Sequence, residues 1–304
     1  MVDPKEIYEK AMSELKKKIA GKEDTLKLLL IALVANGHAL LEGVPGVAKT
    51  TMTKTLANIM DGTFSRIQGT ADLKEEDILG YSYFDEAERA VKVKKGPIFT
   101  NVLLIDELNR APPKVMNAFL EALEERQVTI AGQDFKLPSP FIAFATQNPL
   151  RIEGTEPIPK VLADRFIMKI DVTYPSMEEE IEMLRIKERE EEIKTEKVLT
   201  TIDVIELQMM AKKVEMDNDV AQYIARLVDE TRKDIHVVMG ASPRADIAFM
   251  NCSKAKALLE GRKKVSMEDI RFLAKPVLSH RIVVRATGGL GVNGIIDGIV
   301  ATVS

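Results

Sequence analysis

The sequence predicts an α/β fold in which a five-stranded parallel sheet flanked by helices is followed by an all-helical domain. Three observations carry this. An apolar strand, Ala39 to Leu41, runs into a glycine-flanked turn and then a helical pattern from Lys49 to about Met60. Further segments, Thr63 to Gln68, the strongly apolar Asn101 to Ile105, Phe141 to Thr146 and Phe166 to Ile170, read as strands, the most apolar of them buried on both faces. At Tyr174-Pro175-Ser176 the sheet signals stop and helix signals take over, which divides the chain into 1–173 and 174–304.

The composition fits two soluble globular units. The 304 residues suffice for about two cores, and 45% hydrophobic with 30% charged residues excludes a disordered chain. The longest apolar run, Leu28 to Ala35, is too short to span a bilayer, so no membrane insertion is expected. The N-terminus lacks the apolar stretch of a signal peptide, which predicts a cytoplasmic protein. Cys252 is the single cysteine, and His38, His236 and His280 lie far apart, so no zinc-ligand spacing exists. A net charge of −4 and a pI near 5.7 lack the basic footprint of a nucleic-acid binder.

Taken in order, Ile7, Ala11, Leu15 and Ile19 recur four apart among charges and predict an amphipathic helix over 4–19. A second helix, Asp24 to Ala35, is apolar nearly all round and should be buried beside the turn that follows. That turn is Gly43, Val44, Pro45, Gly46, Val47, Ala48, Lys49, Thr50 and Thr51. Its backbone N–H groups and the positive end of the following helix suit a phosphate chain. Lys49 supplies a point charge for the outer phosphates, and Thr50 offers a hydroxyl to Mg2+. The pattern G-x-x-x-x-G-K-[ST] has glycine where Ala48 stands; alanine is expected to hold the loop if its φ is negative.

Between the second and third strands, residues 70–97 read as an insertion containing a hairpin-like excursion, with Tyr81, Tyr83 and Phe84 on its first arm. The third strand ends in Asp106 and Glu107, where open α/β sheets bind ligands. Asp106 is placed to hold the Mg2+ hydration shell, and Glu107 to orient or deprotonate an attacking water. Pro112-Pro113 opens a helix with Met116, Phe119, Leu120 and Leu123 on one face, and 128–137 reads as a β-hairpin. The next strand delivers Asn148 to the edge that carries Asp106, within reach of a γ-phosphate or an attacking water. A short helix, Val161 to Phe166, carries Asp164 and Arg165.

Beyond the boundary, Ser176 and Glu179 form a capping box opening a charged helix, with the run Lys187 to Glu192 as its solvated face. Further helices are predicted over Asp203 to Lys213, Asp217 to Ile235, Pro243 to Glu260 and Ser266 to Lys275. Arg244 sits in the first turn of its helix, where the macrodipole disfavours a cation; an anion such as a nucleotide phosphate would explain it, and pairing with Asp246 is the alternative. Gly289 to Gly294 matches the dinucleotide fingerprint literally, but no strand clearly precedes it and too little chain follows. A flexible turn before a final apolar segment, Ile295 to Val303, is the better interpretation.

In combination these blocks resemble the AAA+ ATPases, and within them the MoxR family. Leu41 to Thr50 is similar to that family's P-loop, in which alanine before the lysine is usual. Asp106 to Lys114 resembles its Walker B block, Glu124 to Thr129 and Ala145 to Pro149 its pre-sensor hairpin and first sensor, Leu162 to Phe166 its arginine-finger segment, and Gly240 to Ala245 its second sensor. The match runs from about Ile19 to Arg281, and the tail beyond Arg285 has no counterpart.

The resemblance implies ATP and Mg2+ as cofactors and a ring-forming, usually hexameric, chaperone-like ATPase that matures partner proteins. It implies metal-cofactor insertion as one such task and von Willebrand factor A domain proteins as partners. It also implies that Arg165 reaches a neighbouring subunit's site and that Arg244 couples the lid to nucleotide state, within or between subunits. Lys49, Glu107, Asn148, Arg165 and Arg244 then form the catalytic set, and Arg110 is a second interface arginine. An AAA+ protein acting on DNA complexes or transcription, and a small-molecule phosphotransferase using the same loop, are the competing functions.

Overall fold

The predicted strands pair into one parallel sheet. A computed structural model describes residues 3–149, 154–189, 192–285 and 291–303. The chain opens with α1 (Pro4–Lys16), capped by Asp3, whose carboxylate accepts from the backbone N–H groups of Lys5 and Glu6. The α2 helix (Glu23–Val34) is buried almost all round, as its composition requires. Then come β1 (His38–Glu42), the glycine-flanked loop, α3 (Lys49–Ile59), the two-residue β2 (Met60–Asp61) and β3 (Phe64–Gln68).

Residues 70–97 leave the sheet as a helix, α4 (Glu75–Leu79), and an antiparallel hairpin of β4 (Gly80–Asp85) and β5 (Ala90–Lys95). The chain returns as β6 (Val102–Asp106) and α5 (Pro113–Glu125). A second hairpin follows, β7 (Gln127–Ile130) and β8 (Gln133–Lys136), whose turn residues Ala131 and Gly132 both have positive φ, the primed geometry that matches strand twist. The sheet is completed by β9 (Ile142–Gln147), α6 (Lys160–Ala163) and β10 (Phe166–Asp171). Asp164 and Arg165, expected on a helix, lie just beyond the end of α6 because the strand begins at Phe166.

The strand order is β10-β1-β9-β6-β3, every pair parallel. All five C-terminal ends therefore open on one edge, which brings the loop after Glu42, Asp106 and Gln147 together. The strands alternate between two cores: Val102 and Leu104 join the apolar mass under α1 to α3, while Leu103 and Ile105 join the one under α5 and the hairpins.

After the sheet, α7 (Met177–Glu188) starts in the expected capping box. Glu179 N–H donates to Ser176 Oγ at 3.2 Å, and Ser176 N–H donates to Glu179 Oε2 at 2.8 Å. Of the charged run 187–192, Glu190 and Glu191 lie outside the described residues; the others among them are exposed. The remaining part is α8 (Thr201–Lys212), α9 (Asn218–Lys233), α10 (Arg244–Leu259), α11 (Met267–Leu278) and α12 (Val292–Val303).

Two short strand pairs depart from the all-helical expectation. β11 (Leu199–Thr200) lies beside β2, where the connection into α8 finds main-chain partners, and β12 (Val237–Met239) pairs with β13 (Val283–Val284). Of the glycine-rich segment, Gly289 lies outside the described residues, and the apolar tail is helical from Val292, burying Ile295, Ile296 and Ile299 against α9 and α11.

The helical part is secured by a charge network with a pH signature. Asp269, wholly buried, accepts from Lys256 Nζ at 2.6 Å, from Arg262 and from the Ser266 N–H. Burial pushes its carboxyl up, but these donors outweigh burial and hold it at about 2; Glu260, which accepts from Lys27, Arg262 and Lys256, is likewise held at about 2. Both groups are depressed, so their contribution is complete above the unfolded carboxylate values near 4 and is lost as pH falls toward about 2. Thermal unfolding should show a steep loss of stability across that window, of which Asp269 supplies about 2 kcal/mol. An Asp269→Asn chain should start less stable and lose less over the same interval. A wild-type Tm unchanged from pH about 5 to about 2.5 would contradict this.

Candidate nucleotide site

The loop between β1 and α3 is shaped by three small residues. A Cβ on Gly43 would lie 2.4 Å from the carbonyl oxygen of Val172, so only glycine lets the chain leave the sheet beside β10. Gly46 has φ +88, a left-handed conformation. Ala48 is left-handed as well, φ +63 and ψ +18, and this corrects the expectation of a negative φ there. The chain reverses at this residue before α3 begins at Lys49, so the position demands the conformation that glycine adopts freely. Alanine pays about 1 kcal/mol for it. Ala48→Gly should therefore raise the free energy of urea unfolding by about that amount while ATP binding is retained; a destabilised variant would sink the argument.

The side chains that face the loop come from neighbouring strand ends. Lys49 Nζ donates to the carbonyls of Gly43 and, at 2.9 Å, Val44. Burial lowers its ammonium's pKa, against the pull of Asp106, Glu107 and Glu42. Asp106 Oδ2 accepts from Thr50 Oγ1 at 3.1 Å and from Arg66 at 2.7 Å, and Oδ1 accepts from Thr146 Oγ1 at 2.6 Å. Burial raises this carboxyl, but the three donors outweigh it and keep it below the usual value. Thr146 Oγ1 in turn accepts from the Glu107 N–H at 2.8 Å, which fixes the direction of its own proton.

Glu107 has φ +53, and its carboxylate accepts from Gln68 Nε2 at 3.0 Å and from Arg110 at 3.1 Å. Asn148 lines the same cavity of about 310 Å³ as the loop, Asp106 and Glu107, and its carbonyl accepts from Asn109 Nδ2 at 3.3 Å. The donor set fits the expected ligands. Thr50 and Asp106 form the pair of hard oxygens that Mg2+ takes from a protein when phosphates and water complete its shell. Among the described residues there is no cluster of three or more acidic, histidine or cysteine side chains for another kind of metal.

Sequence reasoning missed Arg66, Gln68 and Thr146. Their signal was positional: Gln68 pairs in register with Asp106, and Thr146 immediately precedes the Gln147-Asn148 segment at the same edge.

Arg165 and Arg244 do not line this cavity. They meet in another, of about 300 Å³, between the end of α5, the α6–β10 junction and the start of α10. Glu124 forms ion pairs with both, at 2.7 Å for Arg244. Arg244 is also 3.8 Å from Asp164, which accepts from Arg281 at 3.0 Å and from Ser242 at 2.9 Å. The anion beside the α10 N-terminus in this structure is thus a carboxylate from the sheet side, and Asp246 is not its partner. Arg110 lies against Glu107, and Tyr81, Tyr83 and Phe84 are exposed, Phe84 by 61%.

The sequence model of the ATPase family associated with various cellular activities (AAA) matches residues 38–168, and that of the AAA lid domain matches 229–291. Chaperone MoxR1 of Mycobacterium tuberculosis is 41% identical over 285 residues, 90% of this chain and 75% of that protein. The chain belongs to the MoxR family of AAA+ ATPases. Protein YeaC of Bacillus subtilis, uncharacterized, is 42% identical over 274 residues, 90% of this chain and 86% of that one. A crystal structure of a candidate ATPase from Cytophaga hutchinsonii superposes with a TM-score of 0.90 at 37% identity, covering 99% of this chain and 95% of that one. As a MoxR-family member the protein is a nucleotide-binding ATPase with an α/β unit followed by a helical lid. No helix among the described residues is long and apolar enough to cross a membrane.

Proposed function

We propose that this MoxR-family ATPase hydrolyses ATP at the 43–51 loop to drive chaperone-like remodelling or maturation of partner proteins, working as a ring of its own copies, six on the family pattern. Lys49 and the loop N–H groups hold the phosphates, and Thr50 and Asp106 hold Mg2+. The bound ion supplies positive charge to the phosphate oxygens. Glu107 takes the proton of a water whose oxygen bonds to the γ-phosphorus, while the bond from that phosphorus to the β–γ bridging oxygen breaks and ADP leaves. Asn148 orients the water or the γ-phosphate.

The observation that carries this reading is the convergence, at one sheet edge, of a loop lysine, a threonine–aspartate pair and a separate acid around one cavity. Arg165 and Arg244 serve an adjacent subunit's site, a reading supported by their shared cavity away from their own loop. Tyr81, Tyr83 and Phe84, exposed on the β4 arm, touch the client. Insertion of a metal cofactor and partners with a von Willebrand factor A domain are the finer form of the same proposal.

Capture tests it. A Glu107→Gln chain supplied with ATP should assemble and retain a partner protein that a Lys49→Ala chain does not. Equal recovery with both would remove the ATP-driven reading.

A further inference from the structure

The electrostatics around Glu124 run against the helices that carry it and its partner. Glu124 is the penultimate residue of α5, where the helix end is negative, and Arg244 is the first residue of α10, where the end is positive. Each charge is disfavoured by its own helix, and the two lie 2.7 Å apart across the junction between the sheet and the lid. The opposite signs would have satisfied both helices, so stability alone does not account for this arrangement.

Glu124 is also the carboxylate that holds Arg165. Among the described residues the guanidinium makes, apart from Glu124, one long contact, to the Val161 carbonyl at 3.4 Å, and its Nε is buried. The neighbouring carboxylate of Asp164 accepts instead from Arg281 and Ser242. Among the described residues the cavity is lined by four arginines, Arg126, Arg165, Arg244 and Arg281, and two acids, Glu124 and Asp164, so its lining carries surplus positive charge. Glu124 and Arg244 are both more than a third exposed, open to an arriving anion. The hydrogen bond from Arg244, with the charge of Arg165, holds the Glu124 carboxyl below its usual value, so it stays ionised.

We propose that Glu124 is a positioning residue: it gathers Arg165 from the sheet side and Arg244 from the lid into one pair, then yields them to the terminal phosphate bound by a neighbouring copy of the chain. This rests on the reading that the two arginines act between subunits. Glu124 itself touches no nucleotide. Its carboxylate is a temporary acceptor that keeps two cations, which would otherwise repel one another, aimed at one place until a more highly charged anion replaces it.

The test uses the whole 304-residue chain and four variants. Glu124→Gln should lower kcat at least tenfold with the dissociation constant for ATP changed less than twofold, because the loop of the same subunit is untouched. Mixed with Glu107→Gln chains, whose arginines are intact, it should regain activity above either variant alone, which a merely structural defect would not do. Glu124→Asp, shorter but still charged, should fall between wild type and Glu124→Gln, and serves if the amide variant folds poorly. Arg165→Ala is the parallel arm. If mixing rescues Arg165→Ala and not Glu124→Gln, or if both Glu124 variants keep full kcat, the positioning role is wrong while the inter-subunit reading stands. If Arg165→Ala itself keeps full activity, the underlying reading fails and the role of Glu124 falls with it.

Discussion

Glu107→Gln should bind ATP and scarcely hydrolyse it, with kcat reduced by about 10²- to 10⁴-fold, the range of a lost general base. An amide has nearly the shape of the carboxylate but cannot accept the water's proton. On the proposed reading the binding contacts are elsewhere, in the loop and at Asp106, which itself is held by Thr50, Thr146 and Arg66. ATP affinity should therefore change little. In the structure Gln68 and Arg110 both donate to Oε2 of Glu107, so they orient the carboxylate while Oε1 is the oxygen that neither engages. Single-turnover hydrolysis and equilibrium binding of ATP measure the two quantities separately. Normal turnover by the variant would refute the assignment of the base.

Arg165→Ala carries the second large effect. A cation that meets the charge developing on a transferring phosphoryl group is worth about 10³- to 10⁵-fold in rate, and that scale is expected here, again with nucleotide affinity retained. Folding should survive the change, because Glu124 keeps Arg244 as a partner and Asp164 keeps Arg281. Unfolding measured alongside activity distinguishes the two effects. Mixing with Lys49→Ala chains supplies sites in which an intact loop meets an intact arginine from another copy, and activity should reappear. Its absence, with both variants folded and associated, would place Arg165 outside any shared site.

Most of the architecture was legible because the signals were local. Continuous apolar strands such as Val102 to Ile105, the Ser176 capping box and the turn after Ala39 to Leu41 each state their conformation within a few residues. Asp106, Glu107 and Asn148 could be placed together because a parallel sheet sends its strand ends to one side. What depended on distant partners was harder to read. At Ala48 the glycine that the loop pattern expects was the signal of a left-handed residue, and alanine in its place hid it. The partner of Arg244 is 120 residues away at Glu124, and Arg66 reaches Asp106 across 40 residues. The helical tail was obscured because Ile295, Ile296 and Ile299 gain their burial from α9 and α11.

One apolar mass extends from α1 and α2 beneath the sheet into α8, α10 and α11, and the last of these also packs on β10. Side chains interlocked at crystal-like density do not slide by small steps. A twist of the lid against its own sheet would tear open the seam around Leu29, Ile31 and Phe249, all without solvent contact. Each chain is thus one stiff body, and in the ring proposed above the motion driven by ATP turnover would fall at the contacts between copies.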